Sequence, residues 1–152
     1  MADEGPGLEH RRLEPLVGKW KTRGWVKATS SSPALEIDAT DTYEWVPGGF
    51  GLLHRVDARV GDQKVEGAEI LGYDPSLERY ATLYFGSDGP TAYTATLTEE
   101  HGVLTWRMET ERTRFVGAFS DDRNTITGRW ELCGDDESWQ PWMEITLTKE
   151  AR

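Results

Sequence analysis

Short segments in which apolar and polar residues alternate recur about every ten residues between positions 19 and 148. Such alternation is typical of strands that bury one face and leave the other in water. Turn residues separate the segments, for example Pro47, Gly48 and Gly49, or the Gly-rich stretch over residues 86–90. No helical pattern is long enough for the crossover that parallel strands need. The sequence therefore predicts antiparallel strands joined by short turns.

Consecutive hairpins form an up-and-down meander, and closing the meander into a barrel removes both of its unpaired edges. We expect an all-β fold, a single up-and-down antiparallel barrel of about 8–10 strands that spans residues 8–150. The segment over residues 8–17 carries Leu13 and Leu16 on one side and predicts a short N-terminal helix that closes one end. Gly18 would let the backbone bend into the first strand, and Trp20 would fill the barrel floor.

Composition supports this fold class and limits the partners. A chain of 152 residues suits one domain, and its 16 Gly, seven Trp and five Tyr favour strands and turns over long helices. The 27 acidic residues outnumber the 17 basic ones and give a formal net charge of −10. Such a field repels nucleic acid and anionic membrane surfaces, so we expect neither as a partner. The single cysteine, Cys133, excludes an intrachain disulfide and a thiolate zinc cluster.

The N-terminal residues carry no pattern of export. Residues 1–7 are small, acidic and contain Gly and Pro, and they predict a disordered tail. They lack the basic start and the apolar run of a secretory signal. No window of the sequence approaches the roughly 18 apolar residues of a membrane span. We therefore expect a cytoplasmic protein.

The alternation of the strands leaves open the role of His54 and the direction of Glu69. In the third strand, residues 50–60, His54 shares an apolar face with Phe50 and Leu52. A histidine there is either a core residue hydrogen-bonded to a neighbour or a cavity residue that touches a ligand. Asp41 breaks the alternation of the second strand. In the fourth strand, the pattern does not decide whether Glu69 faces water or the barrel interior.

Bulky residues gather on one face of the predicted strands. They would form either a solid core or an apolar ligand pocket with a few polar groups. The pocket hypothesis assigns ligand binding to Tyr43, Trp45, His54, Glu69, Tyr93, Trp106, Trp130 and Met143. The sequence contains no nucleophile elbow, phosphate-binding loop, dinucleotide fingerprint or metal-spaced set of His and Cys. We therefore expect no metal and no cofactor.

Several short motifs carry a family resemblance. They are Gly18-Lys19-Trp20, Gly48-Gly49-Phe50, the segment over residues 67–75 that reads Gly-Ala-Glu-Ile-Leu-Gly-Tyr-Asp-Pro, the pair Arg79-Tyr80, and Ser87-Asp88-Gly89. With these motifs the chain resembles the uncharacterised DUF1579 family over about residues 10–150. The resemblance implies a lipocalin-like closed barrel of the calycin type. It implies no reaction, because the family has no established common activity.

The Gly-x-Trp entry into the first strand is also similar to that of the nitrobindin-like haem barrels. Those proteins hold haem iron through a histidine placed late in the chain. Here no histidine follows His101, and His101 itself lies in a turn sequence where we expect it to be exposed. His54 would be the remaining axial ligand for haem.

Two classes of function follow from these observations. The first is a small-molecule binding barrel that holds an apolar or aromatic ligand in its interior. The alternative is a barrel enzyme, an isomerase or cyclase, in which His54 and Glu69 transfer protons. Haem binding is a second alternative, implied by the likeness to nitrobindin. An apolar outer face with Trp25 and Trp142 would also support a homodimer.

Overall fold

The computed structural model describes residues 5–151 of the chain. The chain begins with one turn of α-helix, α1 (Leu8–Arg11), and one turn of 3-10 helix (Glu14–Leu16). The described residues then form ten strands: β1 (Gly18–Val26), β2 (Leu35–Trp45), β3 (Gly51–Val60), β4 (Gln63–Asp74), β5 (Arg79–Gly86), β6 (Gly89–Glu100), β7 (Val103–Glu109), β8 (Thr113–Phe119), β9 (Thr125–Cys133) and β10 (Trp139–Lys149).

The ten strands form one closed antiparallel barrel. Each strand pairs with its neighbours in sequence, and β1 pairs with β10 from Trp20 opposite Lys149 to Val26 opposite Met143. This arrangement confirms the predicted all-β up-and-down barrel. Because β1 and β10 are paired, the barrel has no strand with a free edge. None of the helices in the described part of the chain has the length or the hydropathy of a membrane span.

The N-terminal segment differs in detail from the prediction. We expected one helix over residues 8–17, whereas the chain makes two separate single turns. Pro15 explains the break, because a proline inside an α-helix lacks the N–H donor and its ring collides with the carbonyl one turn earlier. At the start of a 3-10 turn neither problem arises, and Pro15 occupies that position.

Part of the predicted disordered tail makes contacts. Residues 1–4 lie outside the described residues. The carbonyl of Pro6 accepts a hydrogen bond from the Arg11 side chain at 2.7 Å, and the backbone N–H of Gly7 donates to Nδ1 of His10 at 2.9 Å.

Phe50 also differs from the prediction, since β3 begins at Gly51. The Phe50 side chain is 47% exposed and packs edge-on against His10 instead of facing the interior.

The two helical turns close one end of the barrel. Leu13, Leu16 and Trp20 are fully buried there, and the indole N–H of Trp20 donates to the carbonyl of Leu16 at 2.9 Å. Gly18 joins this segment to β1 with φ of +139°, a backbone conformation that favours glycine. The predicted plug and its glycine hinge are therefore present.

The interior of the barrel differs between its two ends. Most inward side chains at the end covered by the helical turns are buried, and we call this part the closed half: Trp20, Leu52, Leu71, Tyr80, Leu97, Leu104, Trp106, Phe119, Ile126 and Leu147. Trp45 and Tyr73, at the rim of this end, are half-buried. Inward side chains at the other end are only half-buried, and we call this part the open half: Val26, Val60, Val65, Tyr84, Tyr93, Trp130 and Met143. Some residues of the open half are exceptions. Ile37 and Ala58, for example, pack against the wall and are buried. Solvent therefore contacts more of the inward side chains at this end than at the closed end.

The closed half should carry much of the stability. Leu16→Ala removes a side chain that is 1% exposed and should lower the free energy of unfolding by about 2–5 kcal/mol. Leu8→Ala, in the same N-terminal segment at 61% exposure, is the matched control and should change it by less than about 0.5 kcal/mol. Urea unfolding followed by tryptophan fluorescence measures both values. An equal decrease in the free energy of unfolding for the two substitutions would contradict a stabilising role of the N-terminal turns.

Candidate functional site

Three ionisable side chains lie together on the inner face of adjacent strands β2, β3 and β4. His54 of β3 lies opposite Tyr43 of β2 and opposite Glu69 of β4. Strand alternation places Asp41 on the same inner face as Tyr43, two residues earlier. Asp41 and Glu69 are both buried, Glu69 to 4% exposure. The sequence pattern had left the direction of Glu69 open, and the structure points it inward.

His54 is held between the two carboxylates. Its Nε2 lies 2.7 Å from Oδ1 of Asp41, and its Nδ1 lies 2.9 Å from Oε1 of Glu69. The hydroxyl of Thr22 donates to the other oxygen of Asp41. The Tyr43 ring stacks on the imidazole with 4.0 Å between centroids and 9° between planes. His54 is therefore fixed on both edges and on one face.

The hydrogen bonds of His54 determine the net charge of the group formed by Asp41, His54 and Glu69. Burial alone would lower the pKa of His54, but the hydrogen bonds and the charges of Asp41 and Glu69 outweigh it and raise the pKa to about 9. An imidazolium between two carboxylates has a net charge of −1. A neutral imidazole between one carboxylate and one carboxylic acid also has a net charge of −1. Asp41, His54 and Glu69 together therefore carry a net charge of −1 wherever the proton lies.

The charge of Glu69 acts on three tyrosines of the interior. Burial raises the pKa values of Tyr43, Tyr84 and Tyr93, and the negative charge of Glu69 raises each of them further. Tyr84 lies opposite Glu69 in the β4–β5 ladder. Its ring lies flat on the wall, since a Cβ atom on Gly67 would be only 2.3 Å from its hydroxyl oxygen. The glycine thus leaves room for the ring beside the wall instead of at the centre of the barrel.

Aromatic rings form the opposite wall of the open half. Trp130 lies 5.9 Å from Tyr93, 5.0 Å from Phe115 and 6.0 Å from Trp142, measured between ring centroids. Met143 lies opposite Trp130 in the β9–β10 ladder. Together these side chains form an apolar surface. It lies across the barrel interior from the polar group formed by Asp41, His54 and Glu69. The open half therefore combines flat apolar walls with one charged group.

The predicted site residues divide into two sets. His54 contacts both Tyr43 and Glu69, and Tyr93, Trp130 and Met143 lie in the open half. Trp45 and Trp106 lie at the closed end instead. The indole N–H of Trp45 donates to the Glu14 carboxylate at 3.3 Å, and Trp106 packs 5.8 Å from Tyr80.

Sequence reasoning missed four interior residues, namely Thr22, Asp41, Thr82 and Tyr84. Asp41 carried a signal, because it interrupts the apolar face of β2 at the position where an inward residue is due. Tyr84 and Thr82 follow Tyr80 at alternate positions of β5, and that parity could have placed them inside. Thr22 follows Trp20 at an alternate position of β1, and the same parity could have placed it inside. Its role depends on Asp41, a contact 19 residues along the chain.

The site offers little to a metal ion or a haem iron. Within residues 5–151, no three His, Cys, Asp or Glu side chains are arranged to hold a metal ion. Iron ligation by histidine needs a free imidazole nitrogen. Both nitrogens of His54 are occupied by carboxylates, and His101 lies exposed in the turn between β6 and β7. His54 therefore does not fit as an axial ligand to haem iron.

Comparisons with known proteins agree with the fold. The family model for a protein of unknown function, DUF1579, matches residues 5–149. Rv2717c from M. tuberculosis is similar over 96% of this chain and 99% of its own, with a TM-score of 0.70 and 13% identity. The S-type phycobiliprotein lyase CPES from Guillardia theta is similar over 97% of this chain and 99% of its own, with a TM-score of 0.61 and 11% identity. No curated protein matches the sequence. The family match confirms the resemblance drawn from the motifs, and the two structures share the barrel fold.

The buried histidine should make stability depend on pH. His54 has a pKa of about 9 when folded, above its ordinary value of 6.5. The stabilisation of the folded state by protonated His54 is therefore complete below pH 6.5 and is lost as the pH rises through 9. Between these values we expect the free energy of unfolding to fall by up to about 1.4 kcal/mol per pH unit. Urea unfolding at pH 6, 7.5 and 9 measures this slope.

Two variants assign the slope to His54. His54→Gln removes the titrating group, so its unfolding free energy should depend less on pH in this window. His101→Gln changes an exposed histidine and should keep the wild-type slope. An identical slope in the wild type and in His54→Gln would contradict the assignment.

Proposed function

Because this chain belongs to the DUF1579 family, whose function is unknown, we propose a function from its site: the barrel binds a small, flat, apolar or aromatic molecule in its open half. The observation that carries this proposal is the difference between the two ends of the interior. Most inward side chains are buried beneath the helical turns, whereas most are half-buried at the other end. An interior that is partly accessible to solvent at one end, and that apolar rings line, is a common setting of a ligand site.

The chemistry of the walls supports a flat ligand. Trp130, Tyr93 and Phe115 present rings at centroid distances of 5.0–5.9 Å, and a planar molecule can stack on such rings or meet their edges. The polar group around Glu69 lies across from them and can orient the ligand by hydrogen bonds. This division between apolar walls and a few polar groups is common in small-molecule sites.

The structural neighbours add limited support. One protein with the same fold is named as a phycobiliprotein lyase. At 11% identity the likeness concerns the fold. It is compatible with a small molecule inside the barrel and names no ligand for this chain.

The geometry favours binding over the two alternatives. A proton-transfer enzyme built on His54 would need a ring nitrogen that faces the substrate, but both nitrogens are held by Asp41 and Glu69. Haem ligation by His54 meets the same obstacle. The cytoplasmic location and the homodimer remain predictions. For the dimer, Trp25 is 53% exposed on the outer wall, whereas Trp142 is half-buried against Trp130.

A binding experiment with an uncharged dye tests the proposal. Nile red fluoresces in apolar sites, and its titration gives an affinity for the open half. Trp130→Ala should weaken that affinity about tenfold or more, because one large ring of the wall is lost. Trp25→Ala removes a tryptophan from the outer wall and is the matched control, with affinity expected to remain within about twofold.

A second variant does not depend on removing a packed ring. Thr91 faces the interior opposite Tyr84 near the entrance, and Thr91→Trp should fill the open half and reduce dye binding. Far-UV circular dichroism and the urea midpoint check that each variant is folded. Equal dye affinity in the wild type, Trp130→Ala and Thr91→Trp would place the dye elsewhere and overturn the proposal.

A further inference from the structure

We propose that the ligand of the open half carries a cationic nitrogen, such as a protonated amine on an aromatic body, which binds between the Glu69 carboxylate and the Thr82 hydroxyl. This inference rests on the proposed function and names the chemical class of its ligand. It depends on three observations: an unpartnered buried hydroxyl, a carboxylate oxygen left free by His54, and an interior in which the negative charge lacks a counter-ion.

Thr82 provides the first observation. Its residue is 4% exposed, and its Oγ1 has no hydrogen-bonding partner among the described residues. A buried polar group without a partner is rare in folded proteins, because it loses its hydrogen bonds to water and gains none in return. Thr82 faces the interior from β5, opposite Tyr93 of β6. A ligand N–H that reaches this hydroxyl would satisfy it.

Glu69 provides the second observation. Its Oε1 is bonded to His54, while Oε2 has no hydrogen-bonding partner within residues 5–151. Glu69 lies opposite Tyr84, and Thr82 lies two residues before Tyr84 on the same inner face. Thr82 is therefore a diagonal neighbour of Glu69, at a Cβ separation of roughly 7–8 Å. A single ammonium or amidinium group placed between them can donate to both side chains.

Charge provides the third observation. Asp41, His54 and Glu69 together carry −1 for either placement of their shared protons. The Lys and Arg side chains of the described strands lie at outward positions, except Lys149, whose Nζ donates to the carbonyl of Pro15 at the closed end. A buried charge without a partner is costly, so a cationic ligand gains more here than a neutral one. The rings of Tyr93 and Trp130 nearby can also stabilise a cation through their faces.

Three indole compounds of similar size distinguish the contribution of ligand charge to the affinity from the contribution of apolar contact. Tryptamine carries an ammonium group, 3-methylindole is neutral, and indole-3-propionate carries a carboxylate. Calorimetric titration at pH 7 should rank their affinities in that order, with tryptamine roughly ten- to a hundredfold tighter than 3-methylindole.

Paired variants locate the effect. Glu69→Gln keeps an oxygen for His54 but removes the charge, and it should lower tryptamine affinity by about tenfold or more while leaving 3-methylindole affinity unchanged. Glu66→Gln removes the same charge from the same strand at an exposed outward position, and it should leave both affinities unchanged. This control separates a local contact from the overall acidity of the protein.

Thr82→Val tests the hydroxyl without disturbing the fold. Valine has the same shape, and because the hydroxyl has no partner to lose, the urea midpoint should not fall. Tryptamine affinity should drop severalfold while 3-methylindole affinity stays the same. A lower midpoint with unchanged tryptamine affinity would show that the Thr82 hydroxyl is structural and would overturn its assignment to the ligand.

The outcomes distinguish the inference from the function on which it rests. If all three indoles bind equally, or if Glu69→Gln and Glu66→Gln weaken tryptamine alike, the barrel still binds small molecules and the cationic specificity is wrong. If the wild type binds neither Nile red nor any of the indoles, the proposed function itself fails, and the inference fails with it.

Discussion

The hydrogen-bonded ladder between β1 and β10 is the constraint on which the rest of the structure depends. It joins the first strand to the last, from Trp20 opposite Lys149 to Val26 opposite Met143, and turns a meander into a closed wall. Once the wall is closed, every second residue of each strand must point into a common interior. Polar residues at those positions cannot turn to water without shifting a whole strand by one residue. They must therefore find partners inside.

The Asp41–His54–Glu69 group is the consequence of that requirement. Each carboxylate is placed inside by strand parity, and the histidine between them supplies a hydrogen bond to each. The group remains negative by one charge, and nearby Thr82 keeps an unpartnered hydroxyl. The closed half provides the apolar packing that can support such a site. The open half, where most inward side chains are half-buried, is the part in which we propose that a ligand binds.

Much of the fold could be read from local patterns, because alternation and turn residues act over a few positions. The ten-residue rhythm predicted the meander, and the Gly18 and Trp20 entry predicted the plug. The face of Glu69 could not be read in this way. Val65, Gly67 and Leu71 share its side of β4, while Ala68 and Ile70 share the other, and this composition does not favour either face. Ile70 is in fact exposed and Glu69 buried, because His54 of β3 offers a partner on the inner side.

The sequence by itself determined the strand order, the closure of the barrel and the presence of aromatic residues and His54 in its interior. The strands and their inner faces follow from periodicity, which each segment carries alone. Closure follows from the unpaired edges that an open meander would leave. Only the tertiary structure decided that Asp41 and Glu69 meet at His54 and that Thr22 donates to Asp41. It also decided that Trp45 and Trp106 belong to the closed half and that Thr82 is left without a partner. Such facts depend on the register between strands and on which end the N-terminal turns cover. Both are set by contacts between residues far apart in the chain, and no local pattern records them.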